Sequence, residues 1–349
     1  MEFNIASLKR LAEVPGIAGH EDAVRSIVVE EMRPLVNDLR VDALGNVIAT
    51  KYGSGGPRVM LAAHMDEIGF LVSHVDDDGR VRLQPVDGFD ARNLAAQRVL
   101  VHTLSSGSLR GVLHASRDPH PPGYLGEIRA DRLTDLFVDL GLTPEATRQR
   151  VAIGEMVTMD RTLEEVGDTV VSKSLDDRVS LFIMLEILRS LSEHVAEIVM
   201  VATVQEEVGI RGATTAAFVV DPDIGVAVDI APAGIPGGNP VEQITRLGGG
   251  PAITVMDGSF IADSRLAHRV RATAERHQIP HQLAILPFGG TDAGAIHLTQ
   301  SGVPSTTISI PTRYAHTVNE MAHIDDITNT IMLVTRFLES AHEADVSLA

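Results

Sequence analysis

Apolar runs that end in an acid or a histidine recur along this 349-residue chain, and they limit what it can fold into. The plainest is IVMVATVQEEVGIRGA, residues 198–213, where a β-branched stretch stops at two adjacent carboxylates, Glu206 and Glu207, with glycines beyond. A run this short and this apolar suits a central parallel strand buried on both faces. The carboxyl ends of such strands are where open α/β sheets bind ligands. Side chains alternate along a strand but can diverge where it breaks into a loop, so neighbouring glutamates can face one cavity. One can then bind a metal while the other handles a proton. Taken alone, the pair also reads as two solvated glutamates closing a strand.

Four further stretches repeat the arrangement: His64 and Asp66 after VMLAA, Asp176 in KSLDDR, Asp229 after GVAV, and His316 after ISIPTRYA. The chain has no Cys, which removes disulfides, thiolate ligands and cysteine nucleophiles together. Two imidazoles with several carboxylates form a mixed N/O donor set suited to Zn²⁺, or to Co²⁺ or Mn²⁺ in its place. His64 and Asp66 stand two apart, which puts them on one face of an extended chain. The Asp66 carboxylate is then expected to accept a hydrogen bond from the His64 ring nitrogen that holds no metal.

The rest of the chain reads as one α/β domain interrupted by a β-rich insertion. Its length suggests about two domains. Helices are predicted on either side of Pro15-Gly16, followed by a hairpin turning at Gly45-Asn46 and a strand at 58–63. From Gly69 the pattern changes to short alternating strands at 70–75, 81–85, 98–103, 111–115, 135–140 and 151–159. HASRDPHPPGYLG, 114–126, reads as a loop with His114 and His120 as surface residues. After Val170 helices are predicted at 176–191, 263–277, 289–300 and 325–342, and strands at 198–204, 225–229, 252–255, 282–286 and 306–310. The expected division is 1–69 and 164–349 for the α/β domain and 70–163 for the insertion.

Charge and hydropathy narrow the partners. With 29 basic against 47 acidic residues the formal net charge is −18, which repels phosphate backbones and anionic membranes. No nucleic-acid or membrane partner is expected. The N-terminal stretch is amphipathic at Ile5, Leu8 and Leu11 without a long apolar core, and no later segment reaches membrane-spanning length, so a cytoplasmic location is expected.

In order along the chain, AAHMDEIGF, KSLDDRVS, VQEEVGIRGA, VAVDIAPAG, PFGGTDAGAIH and IPTRYAHTVNE resemble the tetrahedral (TET) metalloaminopeptidases. This is the family of glutamyl and deblocking aminopeptidases, some of whose members carry the name endoglucanase M. The resemblance runs from about residue 5 to residue 340. It implies a zinc-exopeptidase-like α/β/α sandwich with a PDZ-like or β-barrel insertion used for assembly. It also implies a dinuclear zinc site in which Asp176 bridges the metals, His64 and Asp229 complete one, and Glu207 and His316 the other. Glu206 would be the general base and Asp66 would orient His64. A cis peptide between Asp176 and Asp177 belongs to the same pattern.

By resemblance the loop Gly289-Gly290-Thr291-Asp292 lines the substrate pocket. From the residues alone it is an anion-binding turn or a helix start capped by Thr291 or Asp292. Asp257 in VMDGS and Arg313 near His316 either face substrate or serve structure. His268, His277, His281, His297 and His323 read as structural or surface residues. Ser174 stands where Ala is common in the family, and Thr317-Val318 replace a frequent Ser-Pro. Neither departure removes a proposed ligand.

The expected function is an aminopeptidase that takes N-terminal residues from short peptides, built by resemblance from dimers into a twelve-subunit tetrahedron. A second reading is hydrolysis of another acyl amide on the same metals. Metal-independent glycoside hydrolysis by paired carboxylates would use Glu206 and Asp66 but leave His64, Asp229 and His316 idle. A non-catalytic binding protein would most simply lack a ligand or the base, and here all are present.

Overall fold

Four apolar segments become parallel neighbours at the centre of the sheet. In the computed structural model, which describes residues 3–115, 132–239 and 243–344, Glu197–Thr203, Arg58–His64, Ile224–Pro232 and Ser305–Arg313 lie side by side in that order. Because they run the same way, their carboxyl ends share one edge, and His64, Glu206, Asp229 and His316 are delivered there. The hairpin Asp38–Val41 and Val47–Lys51 extends one side of this eleven-stranded sheet. Glu320–His323, Thr169–Ser172 and Glu164–Val166 extend the other. Ala252–Met256 and Gln282–Ile285 branch from Ser305–Arg313.

Strand alternation explains the layers. Val59, Leu61, Ala63, Ile198 and Met200 point to one face and pack with helices Ile5–Glu13, Asp22–Met32, Leu175–Ser190 and Ile324–Glu339. Met60, Ala62, Val199 and Val201 point to the other, against Ala216, Ala217 and Val220 of helix Arg211–Val220 and Ile296 of helix Ala293–Ile296. Both faces are covered, which is why these strands are apolar almost without alternation. Helix Leu175–Ser190 is buried over nearly its whole circumference, as expected of a helix apolar all round. The peptide between Asp176 and Asp177 at its start is cis. Among the described residues no helix is long and apolar enough to cross a membrane.

The insertion is a closed six-stranded barrel, in the order Gly69–Val75, Val81–Val86, Leu136–Asp139, Gly107–Ala115, Arg98–Thr103, Met156–Met159. Phe70, Val72, Val99, Val101, Leu113 and Val157 fill it, and Phe70 stacks on Phe89 at 4.5 Å. Val318, from the loop after His316, packs into the same core and fastens the barrel to the site.

Several expected elements differ. The strand expected at 151–159 is only Met156–Met159, because Gly154 takes positive φ and the chain turns between Ala152 and Glu155 after helix Pro144–Arg150. The helix expected at 289–300 shrinks to Ala293–Ile296, since Gly289 and Gln300 both take positive φ and end it on either side. Helix Arg211–Val220 was not foreseen; it starts after a left-handed Ile210 without a side-chain cap. His114 lies in a strand with Nδ1 on the Ala115 carbonyl at 2.9 Å. His120 and most of the loop expected at 114–126 lie outside the described residues.

Candidate active site

His64 closes its strand with its side chain buried. Nδ1 lies 3.0 Å from the main-chain oxygen of Asp66 and donates to it, which turns Nε2 toward the site. Nε2 faces Asp176 Oδ1 at 3.1 Å. The bond expected from the Asp66 carboxylate is thus made by its carbonyl, with the carboxylate standing off at 3.6 Å. That carboxylate instead accepts the amides of Glu206 and Glu207, each at 3.1 Å. It holds the turn that presents the glutamate pair, and no solvent reaches it.

Asp176 meets the second imidazole with its other oxygen: Oδ2 is 3.2 Å from His316 Nε2. One carboxylate therefore spans two histidines. Glu207 Oε2 lies 3.7 Å from the same Nε2. His316 sits in the left-handed region at φ 59, where its amide donates to Glu320 Oε1 at 2.9 Å while Glu320 Oε2 takes the amide of Asp176, also at 2.9 Å. Glu320 is fully buried and was missed in the sequence, although it ends the motif IPTRYAHTVNE. The barrel supplies a second unforeseen group. Gly88 O and Asp87 Oδ2 stand 3.1 and 3.3 Å from His316 Nδ1, with Asp87 at φ 76.

These side chains form two sets of donors. His64, Asp176 and Asp229 each offer an atom within 4.8 Å of the others, and so do Asp87, Glu207 and His316. The second set brings in Asp87 beside the residues expected there. Burial, strengthened by neighbouring carboxylates, pushes Asp229, Glu206 and Glu207 well above the usual carboxyl range. Burial pushes Asp176 the same way, but hydrogen bonds to His316 and His64 prevail and hold it low. Burial opposes the charge on His316, yet Asp176 and then Glu320 and Asp87 raise it to about 10. So much buried acid facing two imidazoles is unfavourable without cations. Glu207 Oε1 is buried with no hydrogen-bond partner among the described residues. The donor set fits divalent cations with mixed N/O ligands.

A cleft of about 760 Å³ opens over these groups, with Glu206, Gly290 and Thr291 in its lining. The other residues named from the sequence are held away from it. Asp257 accepts the amides of Ser259 and Phe260 at 2.6 and 3.0 Å and builds a turn. Arg313 Nε donates to Gly234 O at 2.7 Å. Asp292 does not cap its helix: Oδ2 accepts from Thr203 Oγ1 at 2.6 Å, and burial raises its pKa to about 6.

Residues 45–333 match the family model for M42 glutamyl aminopeptidase. The chain belongs to that family. This M42 peptidase is 35% identical to the lysyl aminopeptidase of Pyrococcus furiosus, over 97% of each chain. It superposes on aminopeptidase APDkam598 of Desulfurococcus kamchatkensis with a TM-score of 0.92 at 37% identity, covering 99% of this chain and 98% of that one. The TET1 peptidase of Pyrococcus horikoshii, 31% identical with a TM-score of 0.84 over 96% of this chain and 98% of that one, can assemble into a tetrahedron or a large octahedral shell. The chain is a metal-dependent aminopeptidase, and neither the acyl-amide nor the glycoside alternative is favoured.

Proposed function

We propose that this aminopeptidase removes N-terminal residues from short peptides using two divalent ions, Zn²⁺ first, with Co²⁺ or Mn²⁺ able to replace it. Asp176 would bridge them, with His64 and Asp229 on one and Glu207 and His316 on the other. The observation that carries the reading is Asp176, whose two oxygens each face one imidazole. Ions held there would polarise the scissile carbonyl and lower the pKa of water.

The remaining steps belong to the protein's own groups. Glu206 lies in the cleft wall with its proton affinity raised by burial, which suits a base that takes a proton from the attacking water and returns it to the leaving amine. Asp66 fixes the turn that aims it. Main-chain oxygens of Asp66 and Gly88 hold the two imidazoles through Nδ1.

The insertion at 70–163, between catalytic segments 1–69 and 164–349, serves assembly in this reading, as dimers within a twelve-subunit tetrahedron. Supporting this are barrel side chains left bare, Leu104 at 99% and Ile153 at 77% exposure, and the assembly of the Pyrococcus horikoshii relative. A cytoplasmic location accords with the cysteine-free composition.

Hydrolysis of aminoacyl-p-nitroanilides and short peptides, before and after chelation and after restoring Zn²⁺, Co²⁺ or Mn²⁺, tests the reading. Activity lost with the metal and regained with it is expected; activity indifferent to chelation would overturn it. A native mass equal to the monomer would remove the assembly.

A further inference from the structure

We propose that this peptidase prefers peptides beginning with a large, uncharged apolar residue, and that Ile235 and Phe288 set the preference. The inference rests on the aminopeptidase reading above. The cleft lining is of two chemical kinds: the carboxylates and imidazoles, and the apolar or aromatic side chains Ile210, Ile235, Leu286, Phe288 and Tyr314.

Ile235 and Phe288 are 50% and 60% exposed, and they line the cleft together rather than standing singly on the surface. They also border the neighbouring groove formed with Leu283 and Ile285, so they stand as the wall between two apolar surfaces. Gly290 brings the backbone against Ser259 and Ile210: a Cβ there would lie 3.0 Å from Ser259 Oγ and 3.3 Å from Ile210 Cδ1.

Charge excludes the alternatives. Among the described residues lining the cleft there is no Lys or Arg. Arg313, between the lining residues Thr312 and Tyr314 in the chain, is not in that lining and gives its Nε to Gly234 O. An N-terminal Glu or Asp would carry its carboxylate into a cleft already lined by Asp87, Glu206, Glu207 and Asp229 without a cation of the protein to meet it. An N-terminal Lys would bring an ammonium against apolar side chains such as Ile235, Leu286 and Phe288. The free α-amine of any substrate does find carboxylates in the cleft, which accords with attack at a free amino terminus. A Leu, Met or Phe side chain at that terminus would cover Ile235 and Phe288.

The test is kcat/KM of the metal-loaded enzyme for Leu-, Met-, Phe-, Ala-, Lys- and Glu-p-nitroanilides. The apolar residues should exceed Ala by roughly tenfold or more, as pocket contacts of this size do, with Glu slowest. Phe288→Ala should reduce the Leu-to-Ala ratio several-fold, and Ile235→Lys should raise Glu relative to Leu. Glu or Lys as the fastest substrate, or ratios unmoved in both variants, would overturn the preference while leaving the peptidase standing. Silence across the panel in metal-loaded protein would instead overturn the peptidase reading beneath it.

Discussion

Replacing Arg178 with methionine should remove about 3–5 kcal/mol of folding stability, the loss typical of breaking a buried charge network. Arg178 has no exposed surface. Its Nε donates to Met65 O at 2.7 Å, one terminal nitrogen to Leu11 O at 2.7 Å and Val14 O at 2.9 Å, and the other to Gly16 O at 3.0 Å. Glu67 stands 3.6 Å away and is also held by Lys173 and the Gly16 amide. The guanidinium therefore joins the end of the first helix to the strand end that carries His64. Methionine fills much of the space but donates nothing, so the carbonyls of Leu11, Val14 and Met65 lose their partner at about 1–3 kcal/mol each before relaxation, while Gly16 O keeps the Glu67 amide. Water entry and backbone shifts recover part, which brings the net to the stated range. Urea unfolding at one protein concentration, in excess chelator, reads it: at an m-value of about 3 kcal/mol/M the midpoint should fall by about 1 M or more. Arg178→Lys, which keeps the charge but not the fork of donors, should recover only a fraction. A methionine variant that unfolds with the wild type would refute the claim that this residue holds the strand end in place.

Three other substitutions probe the site. Asp87→Asn should lower metal affinity by about 10–100-fold, the usual effect of losing a carboxylate beside a ligating imidazole; metal titration checks it, and an unchanged affinity would separate the barrel from the chemistry. Glu320→Gln leaves one acceptor oxygen for two amides, those of Asp176 and His316, so kcat should drop at unchanged far-UV circular dichroism, and full activity would show that the double clamp is dispensable. Asp292→Asn should stabilise the chelated protein at neutral pH by on the order of 3 kcal/mol. The folded pKa of Asp292, about 6, lies above its ordinary 3.8, so its stability contribution is whole below the lower value and lost as pH rises through the upper one. The variant escapes that loss, and its advantage should vanish near pH 4 in unfolding curves; an advantage constant with pH would contradict the assignment.

What the sequence made legible depended on how local each signal was. His64, Glu206 and Asp229 stood out because each closes or follows a run whose apolar character comes from burial on both faces, and parallel pairing then brings those ends together. Helix Leu175–Ser190 showed by its long apolar run, and the barrel strands by their alternation. Asp87 was invisible because its role arises when the barrel folds back on His316, far along the chain. Glu320 acts through the main chain of His316, four residues before it, and of the distant Asp176, a link that no spacing encodes. Helix Arg211–Val220 hid because its buried face is mostly Gly and Ala, too small to give a clear apolar period. Asp66 lies beside His64 as expected but meets its ring through the main-chain carbonyl, since its carboxylate accepts two amides.

The central claim is that Glu206 moves the proton while other residues hold the metal. Turnover of the best p-nitroanilide by Glu206→Gln, with bound metal counted in the same preparation, tests it most directly. The account predicts metal content equal to wild type and kcat reduced by about 10²–10⁴. Near-normal turnover in the metal-loaded variant would contradict it.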